Sequence, residues 1–150
     1  MREIYVDADA CPVKDEVLKV AGRHKWQIHM VSNSWMRLAD SSLINRVVVP
    51  EGPDVADDWI AERIGAGDVC VTQDIPLASR CMSAGAEAMS PTGKRHSEDS
   101  IGMAVAMRDL HTELRETGEI TGGPKPFAKQ DRSRFLQSLE ESIQSILRNR

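Results

Sequence analysis

Six aspartates stand where apolar stretches of this 150-residue chain give way to polar ones: Asp7 and Asp9 beside Ile4-Tyr5-Val6, Asp54, Asp57 and Asp58 after Gly52-Pro53, and Asp74 after Val69-Cys70-Val71-Thr72-Gln73. Gly67-Asp68 adds a further acidic step. In an open parallel sheet, ligands bind in the crevice outside the carboxyl ends of the strands, so carboxylates at several strand ends can meet there. Converging carboxylates repel one another unless a cation joins them, and oxygen donors of this hardness suit magnesium or manganese. The pattern therefore predicts a divalent-metal-dependent phosphodiesterase, a nuclease, with Mg or Mn as cofactor. Its metal would be held from among Asp7, Asp9, Asp54, Asp57, Asp58 and Asp74. Asp7, Asp54, Asp58 and Asp74 would be the catalytic set around a metal-activated water. Thr72, Ser32 and Asn33 would orient water or phosphate by hydrogen bonds.

Each acid also has a plainer use. Asp9 suits the cap of the first helix and Asp74 the cap of a later one, Asp54 is a good N-cap, and Asp57 and Asp58 sit where a helix dipole favours negative charge. Helix capping leaves Asp7 unexplained, because a carboxylate ending a buried strand is costly unless it is paired. It also leaves unexplained three acids at i, i+3 and i+4 on one helix face, where like charges oppose folding.

The elements that must position these groups alternate between strand and helix, which predicts an α/β fold with a mostly parallel sheet of about five strands. Strands are expected at Ile4 to Asp7, Gln27 to Val31, Arg46 to Val49, Asp68 to Thr72 and Glu87 to Met89. Helices are expected from Pro12 to about His24, Asp54 to Ile64, Ile75 to Ala84, Ser97 to Leu114, and Asp131 to Leu147. Thr121 to Pro126 reads as a Gly/Pro loop. The last helix repeats apolar residues at Phe135, Leu136, Leu139, Ile143, Ile146 and Leu147, and should lie across the sheet or along the seam of a homodimer.

Composition sets the frame. A chain of this length with 41% hydrophobic and 28% charged residues fits one folded domain spanning 1–150. Its net charge of -4 argues against bulk electrostatic coating of nucleic acid. The charge is uneven: Glu51 to Asp68 holds six acids against Arg63 alone, whereas Lys125, Lys129, Arg132, Arg134, Arg148 and Arg150 outnumber Asp131, Glu140 and Glu141 beyond Gly123. Lys94, Arg95, Lys125, Lys129 and Arg132, with His96, are thus candidate contacts to the phosphates of single-stranded RNA or DNA. Trp35 beside Arg37 could stack a base, although core or dimer packing is the commoner use of tryptophan. No apolar run approaches the ~18 residues of a membrane span, the opening residues read as a strand, and Cys11, Cys70 and Cys81 form no CxxC pair. A cytoplasmic protein with reduced thiols and no membrane partner is expected.

The sequence also carries a resemblance. Tyr5-Val6-Asp7-Ala8-Asp9-Ala10-Cys11-Pro12-Val13-Lys14, Gly52-Pro53-Asp54-Val55-Ala56-Asp57-Asp58-Trp59-Ile60, Gly67-Asp68, and Val71-Thr72-Gln73-Asp74-Ile75-Pro76-Leu77-Ala78 resemble the YaiI/YqxD-type family of bacterial proteins. So do Thr121-Gly122-Gly123-Pro124 with Phe127, Asp131, Arg132 and Phe135. The resemblance implies membership of the PIN-like nuclease superfamily, a PIN-like single domain, and metal ligands at Asp7, at Asp54 or Asp58, and at Asp74. Three other readings compete. Asp7-Ala8-Asp9 after an apolar strand also fits the nucleophile pair of a haloacid-dehalogenase-like phosphatase, although the chain leaves no room for a cap domain. Cys11 near a helix start could serve as a nucleophile, without an evident histidine partner. A non-catalytic module of the same fold would bind RNA or a protein.

Overall fold

The computed structural model describes residues 2–35, 38, 41–52, 54–97, 102 and 128–148. Five strands, β1 (Glu3–Asp7), β2 (Gln27–Ser32), β3 (Ile44–Val48), β4 (Val69–Val71) and β5 (Glu87–Met89), form one sheet in the order β3-β2-β1-β4-β5. Every strand pair is parallel, with Ile4 opposite Ile28 on one side and Val69 on the other. Four α-helices accompany it among the described residues: α1 (Lys14–His24), α2 (Val55–Arg63), α3 (Ile75–Ser83) and α4 (Lys129–Arg148). The expected α/β class and five-stranded sheet are observed. Apart from Ser97 and Gly102, the helix expected over 97–114 lies outside the described residues, as does the loop over 121–126.

Side-chain alternation along the strands divides the core into two layers. On one face Ile4, Val6, Ile28, Met30, Val69 and Val71 pack under α1 and α4 through Val17, Val20, Phe135, Leu139 and Ile143. On the other, Tyr5, Val31, Cys70 and Ala88 pack under α2 and α3 through Ile60, Leu77, Ala78 and Cys81. The apolar stripe of α4 is thus spent inside the chain, across the sheet. Polar contacts hold that helix too: Arg132 Nη1 donates to the Pro12 carbonyl (2.7 Å) and to Glu16 Oε1 (3.1 Å), and buried Ser142 Oγ donates to Glu87.

Two local features set element ends. A 3₁₀ turn, Ala8–Ala10, separates β1 from α1, and Val13 adopts a non-helical φ/ψ, so α1 begins at Lys14 instead of Pro12. Gly93 has φ +89°, and a Cβ there would lie 2.7 Å from the Arg134 backbone, so only glycine lets the loop after β5 press against α4.

Candidate functional site

Because all five strands run the same way, the residues following β1, β2, β3 and β4 gather at one edge of the sheet. The strand order reverses between β1 and β4, which opens the crevice there. Asp7 ends β1 and Thr72 to Asp74 follow β4, so both lie beside that crevice. Ser32 and Asn33 close β2, and Asp54, Asp57 and Asp58 begin α2 after β3. Asp68 belongs elsewhere: it precedes β4, at the opposite edge, where it is buried and accepts from Glu3 N and Gly65 N, both at 2.9 Å.

Most of the predicted carboxylates already hold protein partners. Thr72 Oγ1 donates to Asp7 Oδ2 (3.1 Å) and accepts from Asp74 N (3.0 Å), tying the ends of β1 and β4 together. Asp74 caps α3, its Oδ1 accepting from Leu77 N at 2.9 Å. Asp9 accepts from Asn33 N through both oxygens, at 2.9 and 3.2 Å, which joins the turn after β1 to the end of β2 rather than capping α1. Asp58 Oδ1 accepts from Arg80 Nη1 at 2.7 Å. Asp54 occupies the N-cap position of α2 in a left-handed conformation, φ 65°, without a capping side-chain bond. Ser32 Oγ donates to the Ser34 carbonyl.

The electrostatics single out two of them. Burial pushes the Asp7 carboxyl above its usual range; the Thr72 hydroxyl works against that, and the charges of Asp9 and Asp74 add to it. Asp57 rises from 3.8 to about 6, first through burial and then through Asp74, Asp7 and Asp54, with Arg80 opposing. Five aspartates, Asp7, Asp9, Asp54, Asp57 and Asp74, from three chain segments therefore share one field at the crevice.

Shared field is not shared coordination. Among the described residues no group of three or more histidine, cysteine, aspartate and glutamate side chains is placed to hold a metal ion. This overturns the expectation of a Mg or Mn cofactor bound by Asp7, Asp9, Asp54, Asp57, Asp58 and Asp74, and with it the metal-dependent nuclease or hydrolase built on that cofactor. The physical reason is the list of bonds above. Carboxylates turned toward Thr72, Asn33, Arg80 and the amino end of α3 do not aim their lone pairs at one point.

The basic candidates are dispersed. Arg132 docks α4 on α1, Arg134 pairs with Asp131 at 3.5 Å, and Lys94, Arg95 and Lys129 are exposed. His96 Nε2 lies 3.1 Å from the Thr72 carbonyl, and Lys125 lies outside the described residues. Cys11 is buried and its thiol pushed up by that burial, which leaves it a poor nucleophile. Sequence reasoning missed Arg80, the cation that faces Asp57 and Asp58. It sits on α3 and reaches α2 only because both helices cover the same sheet face, so no local spacing announces it. It also missed the row Tyr5, His29 and Asn45, set side by side by strand register. There His29 stacks on Tyr5 at 4.6 Å, with Trp59 leaning on both.

The family model described as "Uncharacterized BCR, YaiI/YqxD family" matches residues 5–145. Similar relatives include a UPF0178 protein of Parvibaculum lavamentivorans, 61% identical over 148 residues and covering 99% of this chain and 97% of the relative. Another, from Rhodospirillum rubrum, is 56% identical over 149 residues, covering 99% of each chain. A third, from Rhodopseudomonas palustris, is 57% identical over 150 residues, covering 100% of this chain and 95% of the relative. No solved structure matches the chain. With a family model and close relatives matching almost from end to end, the chain belongs to the YaiI/YqxD family.

Proposed function

We propose that this protein is a non-catalytic binding module of PIN-like fold, and that its acidic edge receives the Lys and Arg side chains of a protein partner. The observation that carries the reading is Asp57, raised to about 6 by burial and by Asp74, Asp7 and Asp54 together. Carboxylates close enough to oppose one another's ionisation, yet not arranged for metal, have a natural complement in a larger cation. A guanidinium or ammonium group is such a cation. It spreads its positive charge over several N–H donors and bridges carboxylates too far apart to share a metal. Arg80, donating to Asp58 within this same edge, illustrates the contact. Nucleic acid is the weaker occupant, because the edge is negative and Arg132 and Arg134 are already engaged within the chain. No helix among the described residues is long and apolar enough to cross a membrane. The three buried free thiols fit a reducing compartment, and we place the module in the cytoplasm.

Calorimetry with a hexa-arginine peptide and, separately, a single-stranded oligonucleotide tests the assignment. Peptide binding that weakens with salt and is lost in an Asp7→Asn, Asp57→Asn double variant is expected. Peptide binding unchanged by the double substitution overturns the reading, and oligonucleotide binding alone transfers the module to nucleic acid.

A further inference from the structure

The two edges of the sheet are treated differently. Beyond β5 the chain turns back on itself: Met89 bridges Arg95 in antiparallel sense, His96 N donates to the Ala88 carbonyl (2.9 Å) and Ser90 N to the Lys94 carbonyl (2.9 Å). That edge is closed. At the other edge, Ile28 N donates to the Leu43 carbonyl and Val49 N to the Ser32 carbonyl, both at 2.8 Å. These two bonds fix the alternation along the β2–β3 ladder, so the odd-numbered residues of β3 turn their backbone toward β2. The N–H and C=O of Arg46 and Val48 therefore face outward, and among the described residues none bonds them. Natural edges are commonly blunted by lysine, proline or a bulge. β3 reads Ile44-Asn45-Arg46-Val47-Val48, and its one charge, on exposed Arg46, is held over the Trp35 ring at 5.9 Å with Nη2 on the Leu38 carbonyl.

Apolar exposure concentrates at the same place. Among the described residues the exposed large hydrophobic side chains are Trp35 at 67% and Val48 at 53%. Val48 pairs in register with Ser32, three residues before Trp35, so both flank the carboxyl end of the open edge. In the chain, β3 is followed by the exposed acids Glu51, Asp54 and Asp58, the last of them paired with Arg80.

We propose that the outer edge of β3 is a strand-docking site. A partner's extended segment adds there as a sixth strand, places an apolar residue against Trp35 and Val48, and carries Lys or Arg residues on to the acidic edge. This rests on the cation-receiving role of that edge and names the conformation of the partner that reaches it. Main-chain bonds to Arg46 and Val48 supply affinity without sequence preference, and the apolar and basic residues supply specificity. Charge decides the occupant. Antiparallel pairing of two copies about Arg46 sets Arg46 against Arg46, and brings Ser41-Ser42-Leu43, which carry no cation, toward the acids beyond Val48.

The test selects a displayed library of random dodecapeptides on the full chain. Val48→Pro is the discriminating variant, because it deletes an outward N–H and spares the β2 ladder. Enriched peptides should alternate β-branched or aromatic residues and end in Lys or Arg. They should bind Val48→Pro at least tenfold more weakly, with the thermal midpoint retained, and should slow amide exchange at Arg46 and Val48. If Val48→Pro fails to fold, Val48→Lys and backbone N-methylation of the peptide make the same comparison. No enrichment, or peptides that bind these variants as tightly as the parent, overturns the proposal. Peptides that need Asp57 but ignore Val48→Pro remove the strand site and leave the acidic edge standing. Peptides sensitive to Val48→Pro but lacking cations and indifferent to Asp57→Asn remove the acidic edge instead. Sedimentation showing a dimer that Val48→Pro dissociates assigns the edge to a second copy.

Discussion

Replacing Asp57 by asparagine should make the folded protein more stable at neutral pH and leave it nearly unchanged at pH 4. An acid whose native value lies above its unfolded one binds its proton more tightly in the native state, so native stability falls as pH climbs between the two values. For Asp57 those values are 3.8 and about 6, and the destabilisation is complete above that window. A displacement of about two pH units corresponds to about 3 kcal/mol without screening. The group is only partly buried, and water and salt reduce that to about 1 kcal/mol. Asparagine also forgoes some favourable helix-dipole interaction in the first turn of α2, which trims the gain further. Urea unfolding followed by tryptophan fluorescence at pH 7.5, 6 and 4 reads the difference. A stabilisation that is full at pH 7.5, nearly as large at pH 6 and mostly lost at pH 4 is expected, with the thermal midpoint raised by about 2–4 °C at the highest pH. An Asp57→Asn protein that is less stable at pH 7.5, or whose advantage is the same at all three values, refutes the coupled-carboxylate argument.

Asp68→Ala strands the Glu3 and Gly65 amides at the opposite edge of the sheet and should cost about 2–4 kcal/mol by the same urea assay, at every pH where the protein folds. Gly93→Ala combines a disfavoured φ with a clash against the Arg134 backbone and should cost about 2 kcal/mol or more, read as a lowered thermal midpoint. Lys25→Gly should stabilise by about 0.5–1 kcal/mol, because Lys25 ends α1 at φ 59°, a conformation glycine adopts freely. Thr72→Val removes the hydroxyl that donates to Asp7 and accepts from Asp74 N, and should raise the pH at which the Asp7 carboxyl titrates, followed by its NMR chemical shift.

What the sequence made legible was the part of the fold written in local pattern. Ile4-Tyr5-Val6 and Val69-Cys70-Val71 are short β-branched or apolar runs, and they became neighbouring central strands. The 3.6-residue repeat from Phe135 to Ile146 became a helix packed across the sheet. The mismatches fall where burial is weak. β3 starts at Ile44 instead of Arg46 because an edge strand is half solvated, and its Asn45 and Arg46 break the apolar signal. α4 starts at Lys129, two residues early, because Asp131 Oδ2 accepts from Ala128 N and closes the first turn from below. At the site, the meeting of Asp7, Asp57 and Asp74 followed from parallel strands and was foreseeable. The partners that occupy these carboxylates were not, since Thr72 to Asp7 and Arg80 to Asp58 span 65 and 22 residues and depend on tertiary register.

Acid clusters at strand ends therefore carry two separable pieces of information. Position is a consequence of topology: any aspartate that follows a strand in a wholly parallel sheet lands at the same edge, whatever its use. Use depends on where the lone pairs point. Asp74 accepts from Leu77 N, Asp9 from Asn33 N, Asp58 from Arg80 and Asp7 from Thr72 Oγ1, so four of the six are held by the chain itself. Asp57 is the exception in energetic terms, because it is the one whose ionisation the fold opposes most clearly, to about 6. On the proposed binding-module reading, the charge that destabilises the fold at Asp57, where asparagine would serve α2 almost as well, has its work outside the chain. The complementary group must be positive, must reach an edge lined by exposed acids, and need not converge on a single coordination point. A basic side chain delivered along an open strand edge meets all three conditions.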